Sequence, residues 1–367
     1  MARFFHLILL LLLLPLSAVS GQNTATPQPV QSEPAGSATQ SLPVLGATDR
    51  EITLDVQVTD KSGKAIRGLQ EQDFTLLDDK QPKKIVSFRA VDVEAAATSD
   101  PPGEIVLVVD AINASIRALA FERDAVKKFL LQDGGKLSQP VSLVIFSEAG
   151  TNFSNSSRDG HALAEALDKY AIGLRSPTRY QDGFYGATDR IDISLKALAS
   201  VVAQEKTQPG RKLVIWIGPG WPMLWDTHLL TPKDTQQVFN SIVSASTELR
   251  RDRITLYSVD QLFPWSAGGT RISYYENFLK GVTSPSRALP GDMGVQVLST
   301  QSGGRVLNAS NDLTTAIANC KADADAYYVL SFDSLPADQA DEYHALQVTV
   351  DKPGVTARTR TGYYDQR

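Results

Sequence analysis

The chain is poor in the residues that carry most enzyme chemistry: of its 367 residues one is cysteine, Cys320, and four are histidine. A single thiol excludes a disulfide framework, and the lack of a Cys behind the first apolar run excludes a lipid anchor there. Cys320 sits in "AIANCKADADAYY", which reads as helix, and no His, Asn or Lys is placed to lower its pKa, so it reads as a half-buried small residue and not a nucleophile. The histidines, His6, His161, His228 and His344, show no paired spacing that would chelate zinc. No Gly-x-Ser-x-Gly is present, which excludes a hydrolase nucleophile elbow. "GPGWPM" at 218–223 has the glycines of a phosphate loop, but two prolines remove amide donors and no Lys-Ser/Thr follows, so it reads as a tight turn. The net charge of −5, with no basic stripe interleaved with aromatics, argues against nucleic acid as a partner.

Long hydrophobic runs are scarce as well. One, "FFHLILLLLLLPL", follows Arg3 and ends in Ala18, Val19 and Ser20 ahead of Gly21. It is short and broken by proline, the pattern of a secretory signal peptide over 1–20, cut near Ser20. The expectation is a secreted or periplasmic protein with no integral membrane segment after cleavage. Residues 21–48, rich in Pro, Ser, Thr, Gln, Gly and Ala, cannot repay the entropy of ordering and read as a disordered linker.

What remains is an ordinary globular composition, 42% hydrophobic and 21% charged, enough for about two domains. "EITLDVQVTD" alternates Ile52, Leu54, Val56 and Val58 with polar residues, the mark of a half-buried strand. "DFTLLDD" and "KKIVSFRAV" add two more across the "DDKQP" turn, giving an N-terminal β segment over 51–91. Three further alternating segments, "DAYYVLSFDS", "EYHALQVTVDK" and "VTARTRTGYYD", make a C-terminal β segment over 327–364. Neither carries enough apolar residues to close a core, so the two are expected to pack together; extension of the main sheet is the alternative.

Between them, over 103–325, the pattern changes. "IVLVVDA", "VSLVIFS", "KLVIWIG" and "ITLYSVD", with a weaker "GRVLNAS", are apolar runs without alternation, as strands covered on both faces require. "ALAFERDAVKKFLLQ", "GHALAEALDKYA", "ATDRIDISLKALASVVAQ" and "TQQVFNSIVSASTELRR" carry apolar residues at helical spacing, with Asp159 a cap candidate for the second. Strand and helix in alternation predict an α/β fold, a doubly wound, mostly parallel Rossmann-type sheet accompanied by the small antiparallel β module. Ligands of such sheets collect beyond the C-terminal strand ends, where Asp110 lies.

In their order, "GEIVLVVDAINASI", "GRKLVIWIGPGWPM", "ITLYSVD", "TQSGGRVLNASNDL" and the closing "YYVLSF" and "GYY", with "VTDKSGKAIRGLQEQDFTLLDDKQPKKIVSF" before them, resemble the von Willebrand factor A-related proteins of acidobacterial type, across roughly residues 50–365. The resemblance implies adhesion or assembly as function. It also implies a place for a divalent cation such as Mg²⁺: an Asp-x-Ser-x-Ser loop after the first strand, a threonine from a second loop and an Asp after the fourth strand. Asp110 matches the first Asp, but Ile112 and Ala114 stand at the serine positions and Gly218 follows the fourth strand. Thr178 or Thr188 supplies a hydroxyl at most. Asn113 and Ser115 are the nearby oxygens, one place out of register. A degraded metal site of Asp110, Asn113 and Ser115 is therefore expected not to work, and no cofactor is called for. Two roles stay open for Asp110: accepting amides of 112–116 and capping the next helix, or a rearranged site with Asp182 or Asp189.

The aromatic loops are the remaining signal. Trp221 and Trp225 follow one strand, Phe263 and Trp265 the next, so all four belong to one sheet end. They read as a protein-binding surface, or else as a cap folded back over the sheet. The function expected from the whole is a non-enzymatic module that binds protein partners in the envelope or extracellular space. Its rivals are an enzyme using the strand-end cleft near Asp110 and a purely structural envelope protein.

Overall fold

The computed structural model describes residues 50–92, 103–170, 183–221, 231–261, 275–308, 310–334 and 337–365. The expected signal peptide and linker, together with Thr178, Asp182, Trp225, Phe263 and Trp265, lie outside the described residues. In chain order the strands are β1 (Glu51–Asp60), β2 (Phe74–Asp78), β3 (Gln81–Lys83), β4 (Ser87–Asp92), β5 (Glu104–Asp110), β6 (Lys136–Ser147), β7 (Gly150–Phe153), β8 (Ser157–Asp159), β9 (Lys212–Ile217), β10 (Ile254–Val259), β11 (Val306–Leu307), β12 (Ala326–Asp333), β13 (Glu342–Val350), β14 (Val355–Arg358) and β15 (Gly362–Asp365). The helices are α1 (Ile116–Leu130), α2 (Gly160–Tyr170), α3 (Gly183–Glu205), α4 (Pro232–Arg251), α5 (Val295–Gln301) and α6 (Leu313–Ala322).

The unbroken apolar runs form the central sheet, ordered β11-β10-β9-β5-β6-β7, with β8 also paired to β6. Its strands from β11 to β6 are parallel, while β7 and β8 are antiparallel to β6. Every residue of β9 and β10 is buried, because both faces are covered. Ile105, Leu107 and Val109 pack on one face against Leu119 and Val126 of α1, Leu163 of α2 and Ile317 of α6. Val106 and Val108 pack on the other against Val201 of α3, Ile242 of α4 and Leu298 of α5. Alternate residues of one strand thus anchor opposite helical layers. Cys320 is fully buried in the first layer, not half-buried, and burial pushes its thiol up to about 12.

Two four-stranded antiparallel sheets, β14-β1-β12-β4 and β15-β13-β2-β3, draw strands from both ends of the chain. Residues 51–56 of β1 pair with 328–333 of β12, and Leu76, Leu346 and Tyr363 of the second sheet join Ile52, Leu54, Leu330 and Phe332 of the first in one apolar core.

Local departures have physical reasons. "KKIVSFRAV" is not one strand: β3 ends at Lys83, and the chain crosses to the other sheet, where β4 pairs with β12. Ile85 turns into the core at the crossing while Val86 stays 56% exposed. Helix α4 begins at Pro232, earlier than the apolar pattern suggests, because Thr231 and Asp234 close a capping box around a proline suited to the first turn. Strands β7 and β8 give no sequence signal, since both are short, partly exposed and paired only to β6. Gly303 is left-handed (φ +91°) after α5, as a helix-ending glycine should be.

Candidate functional site at the strand ends

Asp110 ends β5 at the centre of the parallel sheet and is fully buried. A buried carboxylate needs compensation, and the chain supplies it from three directions. Oδ1 accepts from the amides of Ile112 (3.1 Å) and Asn113 (2.9 Å) and from the Asn113 side-chain amide (3.0 Å). Oδ2 accepts from Asn113 Nδ2 (2.9 Å) and from the indole N–H of Trp216 in the neighbouring strand β9 (3.0 Å). The Asn113 amide nitrogen also lies 2.9 Å from Ser194 Oγ of α3. Burial raises the Asp110 pKa, and these hydrogen bonds oppose the rise.

A carboxylate offers about four lone-pair positions, and the five contacts occupy them all. A cation here would have to displace the indole or the amide. The flanking positions offer no oxygen donors: Ile112 is fully buried, Ala114 is 2% exposed, and both belong to the apolar core. Across the cleft Gly218 has φ +131°, and a Cβ there would stand 2.8 Å from Asp110 Cβ. There is no room for a second acid at that position.

The helix cap is a correction to the sequence reading. Ser115, not Asp110, caps α1, its hydroxyl accepting from the Ala118 amide at 3.2 Å. Ser115 is exposed, while Asp110 and Asn113 are buried.

Among solved structures the chain is similar to a human COPII-coat protein, Sec24c, with 8% identity and TM-score 0.35 over 76% of this chain and 46% of that one. It is similar to the pilus adhesin SpaC from Lactobacillus rhamnosus GG, with 12% identity and TM-score 0.39 over 82% and 49%. The vWF domain of the pilus tip protein Mfa5 from Porphyromonas gingivalis matches with 10% identity and TM-score 0.30 over 60% of this chain and 94% of that domain. The chain spans about half the length of the first two. At these TM-scores the likenesses carry no argument about function. No family profile and no curated protein matches the chain.

Trp221 corrects a second expectation. It is 4% exposed, its indole N–H donates to the Met293 carbonyl (3.1 Å), and its ring meets Trp216 edge-on at 5.2 Å. The ring closes the sheet from within and presents no surface to a partner, because the turn through Gly218 and Gly220 folds it back over β9.

Glu122 is the residue that the sequence reading passed over. Its carboxyl is fully buried beside Asp110 and Asp260; Oε1 accepts from Gln261 at 3.3 Å and Oε2 has no hydrogen-bond partner. Burial first, then the charges of Asp260 and Asp110, hold its pKa well above the ordinary value. The signal was present: Glu122 occupies the apolar stripe of α1, three residues after Leu119 and four before Val126. Asp189 is exposed on α3 and Thr188 is half-buried there. Among the described residues no helix is long and apolar enough to cross a membrane.

Proposed function

We propose that the chain is an exported binding module of von Willebrand factor A type, with a doubly wound sheet, whose partners are proteins of the envelope or extracellular space and whose binding needs no cation at Asp110. The observation that carries this reading is the saturated carboxylate of Asp110, with donors filling its lone pairs and Gly218 where a second acid would stand. Residues that would hold a cation and bridge it to a ligand acid hold the loop rigid instead. Adhesion or envelope assembly is the role implied by the sequence resemblance, and Trp225, Phe263 and Trp265 are the aromatic anchors proposed for it. A catalytic reading has less support, because Asp110 and Glu122 are both fully enclosed and offer a substrate no approach.

The test is capture of envelope proteins by the full chain, with and without added Mg²⁺, repeated with Trp225→Ala and Trp265→Ala. The reading requires a partner that is retained equally in both buffers and lost with the tryptophans while thermal stability is unchanged. Capture that depends on Mg²⁺, or variants that lose stability and keep the partner, would overturn it.

A further inference from the structure

Far from the strand-end site, the second antiparallel sheet gathers three ligand atoms at the tip of its β2–β3 hairpin. Asp79 and Lys80 form a two-residue turn with φ of +48° and +66°, the mirror-image geometry that a tight hairpin requires. That turn lays Asp79 against β13, where its amide donates to the Ala345 carbonyl and its Oδ1 accepts from the Ala345 amide, each at 2.8 Å. Asp78, the last residue of β2, is fully buried; its Oδ2 accepts from the Tyr363 hydroxyl at 3.0 Å and lies 3.9 Å from Lys83 Nζ. His344 of β13 is 4% exposed and stacks on Tyr363, with ring centroids 4.9 Å apart and planes 10° from parallel.

Each carboxylate is thus fixed through one oxygen and turns the other toward His344. Asp78 Oδ1 is buried and accepts no hydrogen bond, and neither nitrogen of His344 has a hydrogen-bond partner. Nδ1 nevertheless points into the group, 2.9 Å from Asp79 Oδ2 and 3.6 Å from Asp78 Oδ1, and all three atoms lie within 4.8 Å of one another. Metal–ligand distances of about 2.0–2.2 Å give ligand–ligand edges of about 2.8–3.6 Å across octahedral and tetrahedral coordination, a range that includes both separations. A buried carboxylate oxygen and a buried imidazole nitrogen without hydrogen bonds are expensive unless something of opposite charge binds between them.

We propose that Asp78, Asp79 and His344 form a binding site for a divalent transition-metal ion of the Zn²⁺ class. One imidazole with two carboxylates suits such an ion better than Ca²⁺ or Mg²⁺, which take oxygen ligands alone. Asp79 is 44% exposed on its outer side, giving the ion an entry path and a place for water. In the liganded state Nδ1 gives its lone pair to the metal and Nε2 carries the ring proton. The hydrogen bonds from Tyr363 and Ala345 orient the ligands, as outer partners do in metal sites. The ion would tie the β2–β3 hairpin to β13, a structural clamp independent of Asp110.

Calorimetric titration of the full chain with ZnCl₂ tests this, with thermal unfolding read in parallel. The expected result is one Zn²⁺ per chain and a rise in unfolding temperature, with affinity lowered at least about tenfold in Asp79→Asn and in His344→Gln and unchanged in His161→Gln. Asp79→Asn keeps an acceptor for the Ala345 amide and suits the positive φ, so it preserves the hairpin even if His344→Gln weakens the fold. An absence of one-site binding in the wild-type chain, or binding unchanged in Asp79→Asn, would overturn the proposal.

Discussion

Glu205 shows how a single carboxyl sets a pH response. It is the last residue of α3, at the negative end of the helix, 3% exposed and with Oε2 lacking a hydrogen-bond partner. Burial, then the charge of Glu104, raise its pKa from 4.5 to about 7 against the opposing pull of Lys212. The folded chain therefore binds more protons than the unfolded chain between these values, so Glu205 lowers stability as pH rises through that window and by a constant amount above it. Glu205→Gln removes the effect. Urea unfolding should find the variant more stable by about 1–2 kcal/mol at pH 8, allowing for solvent screening, and equal to the parent at pH 4. Equal stability at both pH values would show that the carboxyl is compensated by other groups. Asp110 meets burial differently, with five hydrogen-bond contacts, whereas Glu122 has one, too little to offset the burial and the charges of Asp260 and Asp110 that raise its pKa.

At the scale of elements, the turn after β9 decides what the strand-end site is able to hold. Gly218 combines a left-handed φ of +131° with a close approach to Asp110, and either alone disfavours a side chain. Gly218→Asp would restore an acid after the fourth strand and yet is expected to lower stability by about 2–4 kcal/mol without creating Mg²⁺ affinity. Denaturant unfolding and a Mg²⁺ titration of the variant check both halves; a stable variant that binds Mg²⁺ would show the loop to be adaptable. The elements themselves were largely legible. β5, β9 and β10 match their apolar runs because strands covered on both faces leave few polar positions. β7, β8 and the crossing from β3 to β4 were not, because their residues alternate weakly and their pairing is set by partners elsewhere in the chain.

At the scale of the whole molecule, β12 lies between β1 and β4, so the C-terminal segment supplies an inner strand to the sheet that the N-terminal segment begins. The α/β region is tied to this sheet by the ion pair of Arg253 with Asp55 (2.6 Å) and by buried Arg211, which stacks on the Tyr327 ring at 4.6 Å and donates to the Asp323 carbonyl at 2.8 Å. Ending the chain at Asp325 removes β12 to β15 and exposes Ile52, Leu54 and Leu76. Limited proteolysis should then digest residues 51–92 at the rate of an unfolded segment, whereas a protected 51–92 fragment would show that the N-terminal strands hold together without their partners.

The sequence by itself determined β5, β6, β9 and β10 of the central sheet and helices α1 to α4, the polar-apolar alternation of β1, and the apolar residues at positions 112 and 114 after Asp110, since periodicity and residue type are local properties. Only the tertiary structure decided which groups satisfy one another. Trp216 reaches Asp110 from 106 residues away, Trp221 turns inward onto Met293, and Asp79 meets the strand carrying His344 across 266 residues. No short window of residues encodes such meetings: they depend on strand order and register, which are fixed when the whole core is buried at once and each enclosed polar group must find its partner from whatever the fold brings near.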